Sequence, residues 1–197
     1  MFTGIIQAKG SIQEVISSKE GAHLKINSNT LNLSDSKIGD SIAVDGVCLT
    51  VTELSEDWFS TDVSNETMSC TTFSELSQGQ SVNLERSLRL NQGIDGHLVS
   101  GHVDGIGEIH SIDEDGDSVR IKVEVQGDIM KYIANKGSIC INGVSLTVNS
   151  VESNIFDVNI VPHTFSVTTL GDLKLNSFVN LEIDLIARYV ERLYNQN

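Results

Sequence analysis

The sequence predicts an all-β protein of two tandem homologous antiparallel β-barrels, followed by a C-terminal α-helix. Three observations lead to this prediction. A hairpin motif occurs twice, short strands recur between turn signals in both halves, and a helical pattern is confined to the end of the chain. About six short strands in each half favour a closed barrel, because closure leaves no exposed sheet edge.

The duplication is clearest in the hairpin motif. Residues 45–51 (DGVCLTV) return 97 residues later as residues 142–148 (NGVSLTV). A polar residue and glycine followed by apolar–polar alternation is a strong hairpin signal. The repeat is far longer than the units of solenoid proteins, so it indicates a duplicated domain. We expect barrels over residues 1–97 and 98–187 and a helix over residues 185–197. Further matches at the same offset are Gly4 with Gly101, Gly10 with Gly107, Phe59 with Phe156, Thr67 with Thr164, and 82–85 with 179–182.

Period-two alternation predicts the strands between these points. Turn signals at residues 45–46, 78–79, 115–116 and 142–143 separate them. Short helical turns are expected at residues 30–34 and 128–134. The predicted strands include residues 59–63 and 81–85 in the first half, and 121–125, 156–161 and 178–183 in the second.

The final segment has apolar residues at helical spacing behind Asp184, a good N-cap residue. This helix could pack on the preceding barrel or on copies of itself. We favour an oligomer, because an isolated helix of this length is marginal in water. Its apolar residues are Leu185, Ile186, Tyr189, Val190, Leu193 and Tyr194.

Composition limits the function and the compartment. The net charge of −14 argues against nucleic acid and anionic membranes as partners, since both attract basic patches. Residues 1–7 lack the basic and apolar regions of a signal peptide, and no apolar run is long enough to span a membrane. Cys48, Cys70 and Cys140 show no CxxC spacing, so we expect free thiols in the cytoplasm.

Cys48 and Ser145 occupy equivalent places in the two hairpins. If Val47 and Leu49 fill the first barrel, Cys48 and Thr50 point outward. Cys48 could simply be a small apolar residue of a half-buried strand. The duplication argues against this interpretation, because a small nucleophilic group recurs at the same outward position.

The remaining candidates leave alternatives open. His97 and His102 lie at the junction of the halves, in residues 96–102 (GHLVSGH). A metal site is disfavoured because no Cys, Asp or Glu cluster completes it; acid–base chemistry or a structural role remains. Asp184 could cap the helix, act as a catalytic carboxylate, or do both. Lys136 could be a surface residue or a charge for a polar ligand. Glu85 and Glu182, which recur identically, are interpreted as structural.

With these residues in view, the chain resembles the riboflavin synthase family, of the duplicated alpha-chain type. The resemblance covers essentially the whole chain. It rests on residues 1–5 (MFTGI), 45–52, 82–86, 96–102, 143–148, 162–164, 168–171 and 179–184, which occur in the family's order and spacing.

The resemblance implies Greek-key barrels of the flavin- and lumazine-binding type. It also implies the last step of riboflavin biosynthesis. In this reaction two molecules of 6,7-dimethyl-8-ribityllumazine exchange a four-carbon unit, giving riboflavin and 5-amino-6-(D-ribitylamino)uracil. No cofactor or metal is used. The implied assembly is a homotrimer joined by the C-terminal helices, with the active site between the N-terminal barrel of one subunit and the C-terminal barrel of a neighbour. Lumazine synthase is a candidate partner.

The family's site residues carry over position by position. The implied catalytic group is Phe2, Cys48, His97, His102, Ser145 and Asp184. The implied first ligand site is Gly4, Ile5, Ile6, Cys48, Leu49, Thr50, Asp62, Val63, Ser64, Asn65, Glu66 and Thr67. The implied second site is Gly101, His102, Val103, Lys136, Ser145, Leu146, Thr147, Asn159, Ile160, Val161, Pro162, His163 and Thr164. Asn65 departs from the family, which often has proline there, and we expect a slightly looser turn.

The implied chemistry needs a base for the 7-methyl proton of one lumazine and a nucleophile for the other. His102 or a Ser145–Asp184 pair could be the base, and Cys48 or a held water the nucleophile. We expect the Ser145 barrel to hold the donor and the Cys48 barrel the acceptor. A non-catalytic lumazine- or flavin-binding antenna protein of the same fold is the alternative. A flavin reductase would need a further nucleotide-binding domain.

Overall fold

The computed structural model describes residues 1–194, which form two closed antiparallel barrels of six strands each. The first barrel has its strands in the spatial order β1-β2-β5-β4-β3-β6, with the last strand pairing with the first. Its strands are β1 (Ala8–Ser18), β2 (Gly21–Asn27), β3 (Ser41–Val44), β4 (Val47–Leu54), β5 (Trp58–Ser64) and β6 (Ser81–Arg86).

The second barrel repeats this order as β7-β8-β11-β10-β9-β12. The predicted all-β fold with paired six-stranded barrels is therefore confirmed. The bulges recur as well, after Ile12 and Val51 in the first barrel and after Ile109 and Val148 in the second, where they help the strands curve. The strands are β7 (Gly105–Asp115), β8 (Ser118–Val125), β9 (Ser138–Ile141), β10 (Val144–Glu152), β11 (Ile155–Ile160) and β12 (Phe178–Ile183).

Each barrel encloses its own apolar core. Phe59 lies at the centre of the first core and Phe156 at the same place in the second, and both are fully buried. Two short helices, α1 (Asn65–Cys70) and α2 (Pro162–Val167), follow β5 and β11. The expected helical turn near residue 130 is a 3-10 helix over Asp128–Tyr132.

The helical turn expected at residues 30–34 is wrong. The chain there makes separate turns, with Leu31 and Leu33 both buried against the first core. Burying two leucines that are two residues apart requires an extended segment, since a helix would direct them to different faces. Packing on the barrel thus outweighs the local preference.

The tips of the two hairpins meet back to back between the barrels. Asp45-Gly46 and Asn142-Gly143 are two-residue turns in which every residue has a positive φ, between 43° and 82°. This is the type I′ geometry that the sequence predicts. A Cβ on Gly46 would lie 2.8 Å from the backbone nitrogen of Gly143, so the close approach requires glycine.

Two asparagines bind the barrels to each other symmetrically. Asn83 Nδ2 donates to the carbonyl of Asn142 (2.8 Å), and its equivalent, Asn180 Nδ2, donates to the carbonyl of Asp45 (3.0 Å). Both side chains are buried. The barrels therefore share a specific, polar interface around a pseudo-twofold axis.

The C-terminal helix α3 (Leu185–Tyr194) begins after Asp184, whose Oδ1 accepts from the backbone nitrogen of Ile186 (2.9 Å), as expected of an N-cap. Residues 195–197, the end of the predicted helix, lie outside the described residues. No helix within residues 1–194 has the length and apolar composition needed to cross a membrane.

Candidate active site

The outward face of β4 is the centre of the first candidate site. Val47, Leu49 and Val51 are at most 5% exposed and fill the first core, whereas Cys48 is half-buried and Thr50 is exposed. The predicted orientation is thus confirmed, because successive side chains of a strand alternate between its faces.

The outward face of β10 is built in the same way. Val144 and Val148 are buried in the second core, Ser145 is half-buried, and Thr147 is exposed. Leu146 packs on the edge of this core. Each barrel therefore presents a small nucleophilic side chain and a threonine hydroxyl on its outer surface.

The turn from β5 into α1 forms the rim of the first face. Asp62 follows Thr61, which pairs with Val51 on β4, so Asp62 lies beside the outward residues. Two contacts hold the turn around Asn65, and the slightly looser turn expected there stays a prediction. Ser64 Oγ caps α1 by accepting from the backbone nitrogen of Thr67 (3.2 Å), and Asn65 Nδ2 donates to the carbonyl of Lys19 (2.7 Å).

The turn from β11 into α2 forms the rim of the second face. Pro162 is the first residue of α2, where its missing N–H costs no hydrogen bond. Asn159, the equivalent of Asp62, donates from Nδ2 to Asp115 Oδ2 (2.9 Å). His163 is exposed on α2. The two rims thus present different groups at equivalent places.

The segments that precede the barrels are exchanged between the two faces. The backbone nitrogen of Ser145 donates to the carbonyl of Gly4, and that of Cys48 donates to the carbonyl of Gly101, both at 2.8 Å. We call residues 1–6 the first arm and residues 97–103 the second arm. Ile6 of the first arm packs against the second core, and Val103 of the second arm packs against the first core.

This exchange corrects the grouping predicted from the sequence. Gly4, Ile5 and Ile6 belong with Ser145 on the second barrel, and Gly101, His102 and Val103 belong with Cys48 on the first. The repeat correctly matches Gly4 with Gly101, but matching positions does not tell which hairpin each arm covers.

Phe2 joins the arms between the barrels. It pairs with Val99 as an antiparallel bridge, with N–O distances of 2.7 and 3.1 Å. Its ring is fully buried in a small cluster with Ala43, Val99 and Cys140, and Cys48 packs against this cluster. Phe2 therefore supports the Cys48 face from behind.

His97 contacts the nucleophile of the second face. Its Nδ1 lies 2.7 Å from Ser145 Oγ, and its Nε2 is buried without a hydrogen-bond partner among residues 1–194. Burial lowers the pKa of His97 from its ordinary value, and the negative charge of Asp184 offsets this in part. A neutral imidazole bonded to a serine hydroxyl can accept the proton of that hydroxyl.

The predicted pair of Ser145 with Asp184 is absent from the hydrogen bonds of the described chain. The carboxylate of Asp184 caps α3 instead, and it acts on His97 through its charge. His102 is exposed beside Gly101 on the first face. The second arm thus supplies one histidine to each face, His97 to the Ser145 face and His102 to the Cys48 face.

Lys136 lies in an unusual backbone conformation for a lysine. It is exposed and has a φ of 64°, and its equivalent in the first barrel is Gly39, with a φ of 93°. Glycine is the usual residue at positive φ, so a lysine there is strained. A contact of its side chain with a polar ligand stays a prediction.

Three further residues near the faces were missed as site residues. Glu85 and Glu182 bind the arms, and only their identical recurrence in the repeat pointed to them. His23 Nδ1 lies 2.7 Å from Asp62 Oδ1, since the two residues are paired across β2 and β5. That pairing depends on strand order, which the spacing of the motifs does not reveal.

Both faces are open rather than enclosed. Two concavities, of about 380 and 740 Å³, lie in the groove between the barrels beside Thr72 and Phe178. No residue predicted for the ligand sites lines either of them. A ligand on the Cys48 or Ser145 face of one chain would be covered on one side only.

Comparison with known proteins agrees with this architecture. Residues 3–87 and 100–184 each match the family model described as the lumazine binding domain, so the chain carries this domain in duplicate. LumP complexed with 6,7-dimethyl-8-(1'-D-ribityl) lumazine has a similar structure, with a TM-score of 0.82 and 27% identity, covering 92% of this chain and 98% of LumP. LumP complexed with riboflavin gives a TM-score of 0.83 and 28% identity, covering 93% and 99%.

The curated relatives narrow the assignment. A riboflavin synthase of Photobacterium phosphoreum is 46% identical over 193 residues, covering 98% of this chain and 88% of that protein. A riboflavin synthase of Bacillus subtilis is 38% identical over 196 residues, covering 100% and 91%. The chain therefore belongs to the riboflavin synthase family. The prediction of an enzyme of the riboflavin synthase type is confirmed.

Proposed function

We propose that this protein dismutates two molecules of 6,7-dimethyl-8-ribityllumazine, giving riboflavin and 5-amino-6-(D-ribitylamino)uracil. The observation that carries this proposal is the pair of equivalent faces, alike in backbone but unlike in their reactive groups. Two like faces suit two identical substrates. A difference between Cys48 and Ser145 suits a reaction in which one substrate gives a four-carbon unit and the other receives it.

The Ser145 face holds the donor in this proposal. The anion left by removal of a 7-methyl proton is delocalised into the ring system, so a base near neutral pH suffices. Ser145 Oγ takes the methyl proton while its own proton passes to His97 Nδ1, at the 2.7 Å distance between these atoms. The depressed pKa of His97 keeps the imidazole neutral and ready to accept.

The Cys48 face holds the acceptor. The Cys48 sulfur, or the oxygen of a held water, adds to a ring carbon of this lumazine and gives up its proton to His102 or to solvent. The adduct keeps an isolated C=N bond whose carbon the donor anion attacks, and the added sulfur or oxygen is expelled again, with return of the proton, as the new ring forms. The rim, residues Asp62, Val63, Ser64, Asn65, Glu66 and Thr67, offers polar groups for the ring and the ribityl chain. The two products together contain all atoms of two substrates, so the proposal involves no cofactor.

The decisive experiment supplies the lumazine alone to the purified chain. We expect riboflavin absorbance to appear, with one riboflavin formed per two lumazines consumed. A chain that binds the lumazine to saturation and forms no riboflavin would instead be a binding protein of the kind that LumP represents. That result would overturn the proposed reaction while leaving the ligand faces intact.

We further propose a homotrimer in which α3 joins the subunits. The polar side of α3 packs on its own barrel, where Arg188 bonds to Asp104 (2.7 Å) and Glu191 to Lys131 (2.7 Å). Its other side is apolar and 59–80% exposed; these residues are Ile186, Tyr189, Val190, Leu193 and Tyr194. A contiguous apolar surface is unfavourable in water, so we expect α3 to bury this side against copies of itself.

This assembly supports the proposed active site as well. Each face is covered on one side only, so the N-terminal barrel of one subunit and the C-terminal barrel of a neighbour can enclose both lumazines between them. Close packing of the two rings then supplies much of the rate through orientation. Lys136 is exposed, and the proposal counts its charge among the groups that contact the ligand.

Sedimentation of three chains tests the trimer. The parent chain is expected to sediment at three times the mass of one chain. The Ile186→Glu, Val190→Glu double variant and a chain lacking residues 186–197 are expected to sediment as monomers with little riboflavin formation. Arg192→Glu, which changes the charge outside the apolar face, should stay trimeric. A truncated chain that still forms trimers would refute the role of α3.

The proposal also includes a cytoplasmic location and a second protein as a partner. Free thiols at Cys48, Cys70 and Cys140 fit the reducing cytoplasm. Lumazine synthase is proposed as a partner because it would deliver the substrate. Co-sedimentation of the two purified proteins would test this, and separate boundaries at micromolar concentrations would exclude a stable complex.

A further inference from the structure

Two buried glutamates bind the arms in the same way. Glu85 Oε1 accepts from the backbone nitrogen and the hydroxyl of Thr3, at 2.7 and 2.8 Å, and its Oε2 accepts from the backbone nitrogen of Gly4 at 3.0 Å. Glu85 is 2% exposed. Its carboxylate therefore uses both oxygens to hold the first arm.

Glu182 repeats these contacts on the second arm. Its Oε1 accepts from the backbone nitrogen and the hydroxyl of Ser100, at 2.7 and 2.5 Å, and its Oε2 accepts from the backbone nitrogen of Gly101 at 2.9 Å. Burial raises the pKa of both glutamates, and the bonds from the arms oppose this rise. The arms are thus the groups that satisfy these carboxylates.

The two ends of each contact belong to different barrels. Glu85 lies on β6 of the first barrel, yet Gly4 accepts a hydrogen bond from Ser145 of the second. Glu182 lies on β12 of the second barrel, yet Gly101 accepts one from Cys48 of the first. Each arm is fixed between a glutamate of one barrel and the reactive strand of the other.

Each arm is in close contact with the reactive strand that it covers. A Cβ on Gly4 would lie 2.6 Å from Ser145 Cβ, and a Cβ on Gly101 would lie 2.5 Å from Cys48 Cβ. Both glycines also have a positive φ, of 76° and 80°. A small movement of either arm would therefore displace the adjacent nucleophile and the wall of the ligand face.

We propose that Glu85 and Glu182 are positioning residues that act crosswise, each fixing the ligand face of the opposite barrel through the arm between them. This inference rests on the proposed function only in taking the Cys48 and Ser145 faces as the ligand sites. It couples the barrels directly, because neither face is complete without a carboxylate from the other domain.

The test compares Glu85→Gln with Glu182→Gln. An amide has one accepting oxygen, and its NH₂ would face an arm donor, so a buried N–H is left without a partner. Titration with riboflavin, followed through the ¹⁵N signals of the histidine rings, separates the faces. His97 reports on the Ser145 face, and His102 reports on the Cys48 face.

Glu85→Gln is expected to weaken riboflavin binding reported by His97 about tenfold or more, since about 1.4 kcal/mol is a factor of ten, while binding at His102 changes little. Glu182→Gln should weaken binding reported by His102 about tenfold or more and binding reported by His97 by a smaller factor, because His97 lies on the same arm. If either variant fails to fold, Thr3→Val and Ser100→Ala remove only the hydroxyl donor of each contact and should show the same crosswise pattern, several-fold in size.

Equal weakening of both faces, greater weakening on the mutated barrel's own face than on the opposite face, or no weakening would each overturn the inference. A parent chain without saturable riboflavin binding at both histidines would overturn it too. The proposed reaction fails separately, when the parent binds at both faces but forms no riboflavin from the lumazine.

Discussion

The Cys48 face and the Ser145 face have the same framework and different chemistry. On both faces, a two-residue turn leads into a strand that carries an outward-pointing nucleophilic residue. The backbone N–H of this residue donates a hydrogen bond to the carbonyl of a glycine in one of the arms. The residue after that glycine is His102 on the first face and Ile5 on the second. Duplication therefore supplied two equivalent frameworks, and substitution made their reactive groups unequal.

The histidines sharpen this difference. On the Ser145 face, His97 binds the nucleophile directly and is half-buried. On the Cys48 face, His102 is exposed and makes no side-chain hydrogen bond to Cys48 within the described chain. A serine needs such a neighbour because its hydroxyl is a weak nucleophile and a weak base, whereas a free thiol ionises far more readily and its thiolate is intrinsically nucleophilic.

The largest expected effect separates the two faces by their half-reactions. His97→Ala should slow riboflavin formation by a factor of about 10²–10⁴, the usual contribution of a general base, and should slow exchange of the 7-methyl protons with solvent equally. Cys48→Ala should also stop riboflavin formation but leave the exchange. Proton NMR of the lumazine in D₂O measures the exchange, and absorbance measures the product.

Ser145→Ala is the control for His97→Ala, because it leaves the imidazole in place. The proposed relay predicts that it too stops exchange. Loss of exchange in Cys48→Ala, with an unchanged unfolding temperature, would show that the donor and acceptor faces have been assigned the wrong way round.

The local sequence pattern predicts the turn and the outward residues of each face, but not how the two arms connect the faces. The alternation of Val47, Leu49 and Val51 fixes which way Cys48 points, since the side-chain period of a strand is two. The exchange of the arms depends on contacts between residues far apart in the sequence, Gly4 with Ser145 and Gly101 with Cys48, which no local period encodes. The Ser145–His97 pair was hidden for the same reason.

The hairpin tips provide a second comparison, with an effect on stability. Asp45 and Asn142 are both buried, and each accepts from the backbone nitrogen of an asparagine, at 2.8 and 2.7 Å. Burial raises the pKa of Asp45 to about 7 from its ordinary 3.8. The folded chain therefore keeps a proton that the unfolded chain releases between these values, so stability falls as the pH rises through this window.

Asp45→Asn should remove this fall. About three pKa units correspond to roughly 4 kcal/mol, so the variant should be more stable than the parent above pH 7 by up to about that amount, and equally stable near pH 4. Urea denaturation at several pH values measures the difference. Asn142→Asp is the matched control and should introduce a similar fall in the second barrel. A parent and an Asp45→Asn variant with parallel pH profiles would contradict the burial of Asp45 as the cause of the fall.

The smallest expected effect concerns the start of α1 and α2. Pro162 begins α2, whereas Asn65 begins α1 and bonds to the carbonyl of Lys19 at 2.7 Å. Asn65→Pro loses this exposed hydrogen bond, which contributes about 0.5–1 kcal/mol to the free energy of unfolding. The proline also restricts the unfolded chain, and this restriction stabilises the folded protein by about 0.4–1 kcal/mol. Ser64 already has the extended conformation that a following proline requires, with φ −70° and ψ 158°.

The loss of the hydrogen bond and the restriction of the unfolded chain nearly offset each other. Asn65→Pro should therefore leave the unfolding temperature within a few degrees of that of the parent, which calorimetry can measure. Asn65→Ala loses the bond without the proline's compensation and should be the less stable of the two variants. If the proline variant is less stable than the alanine variant, the first turn of α1 differs from that of α2 in more than its side-chain contacts. The two rims would then be structurally equivalent only as far as Ser64.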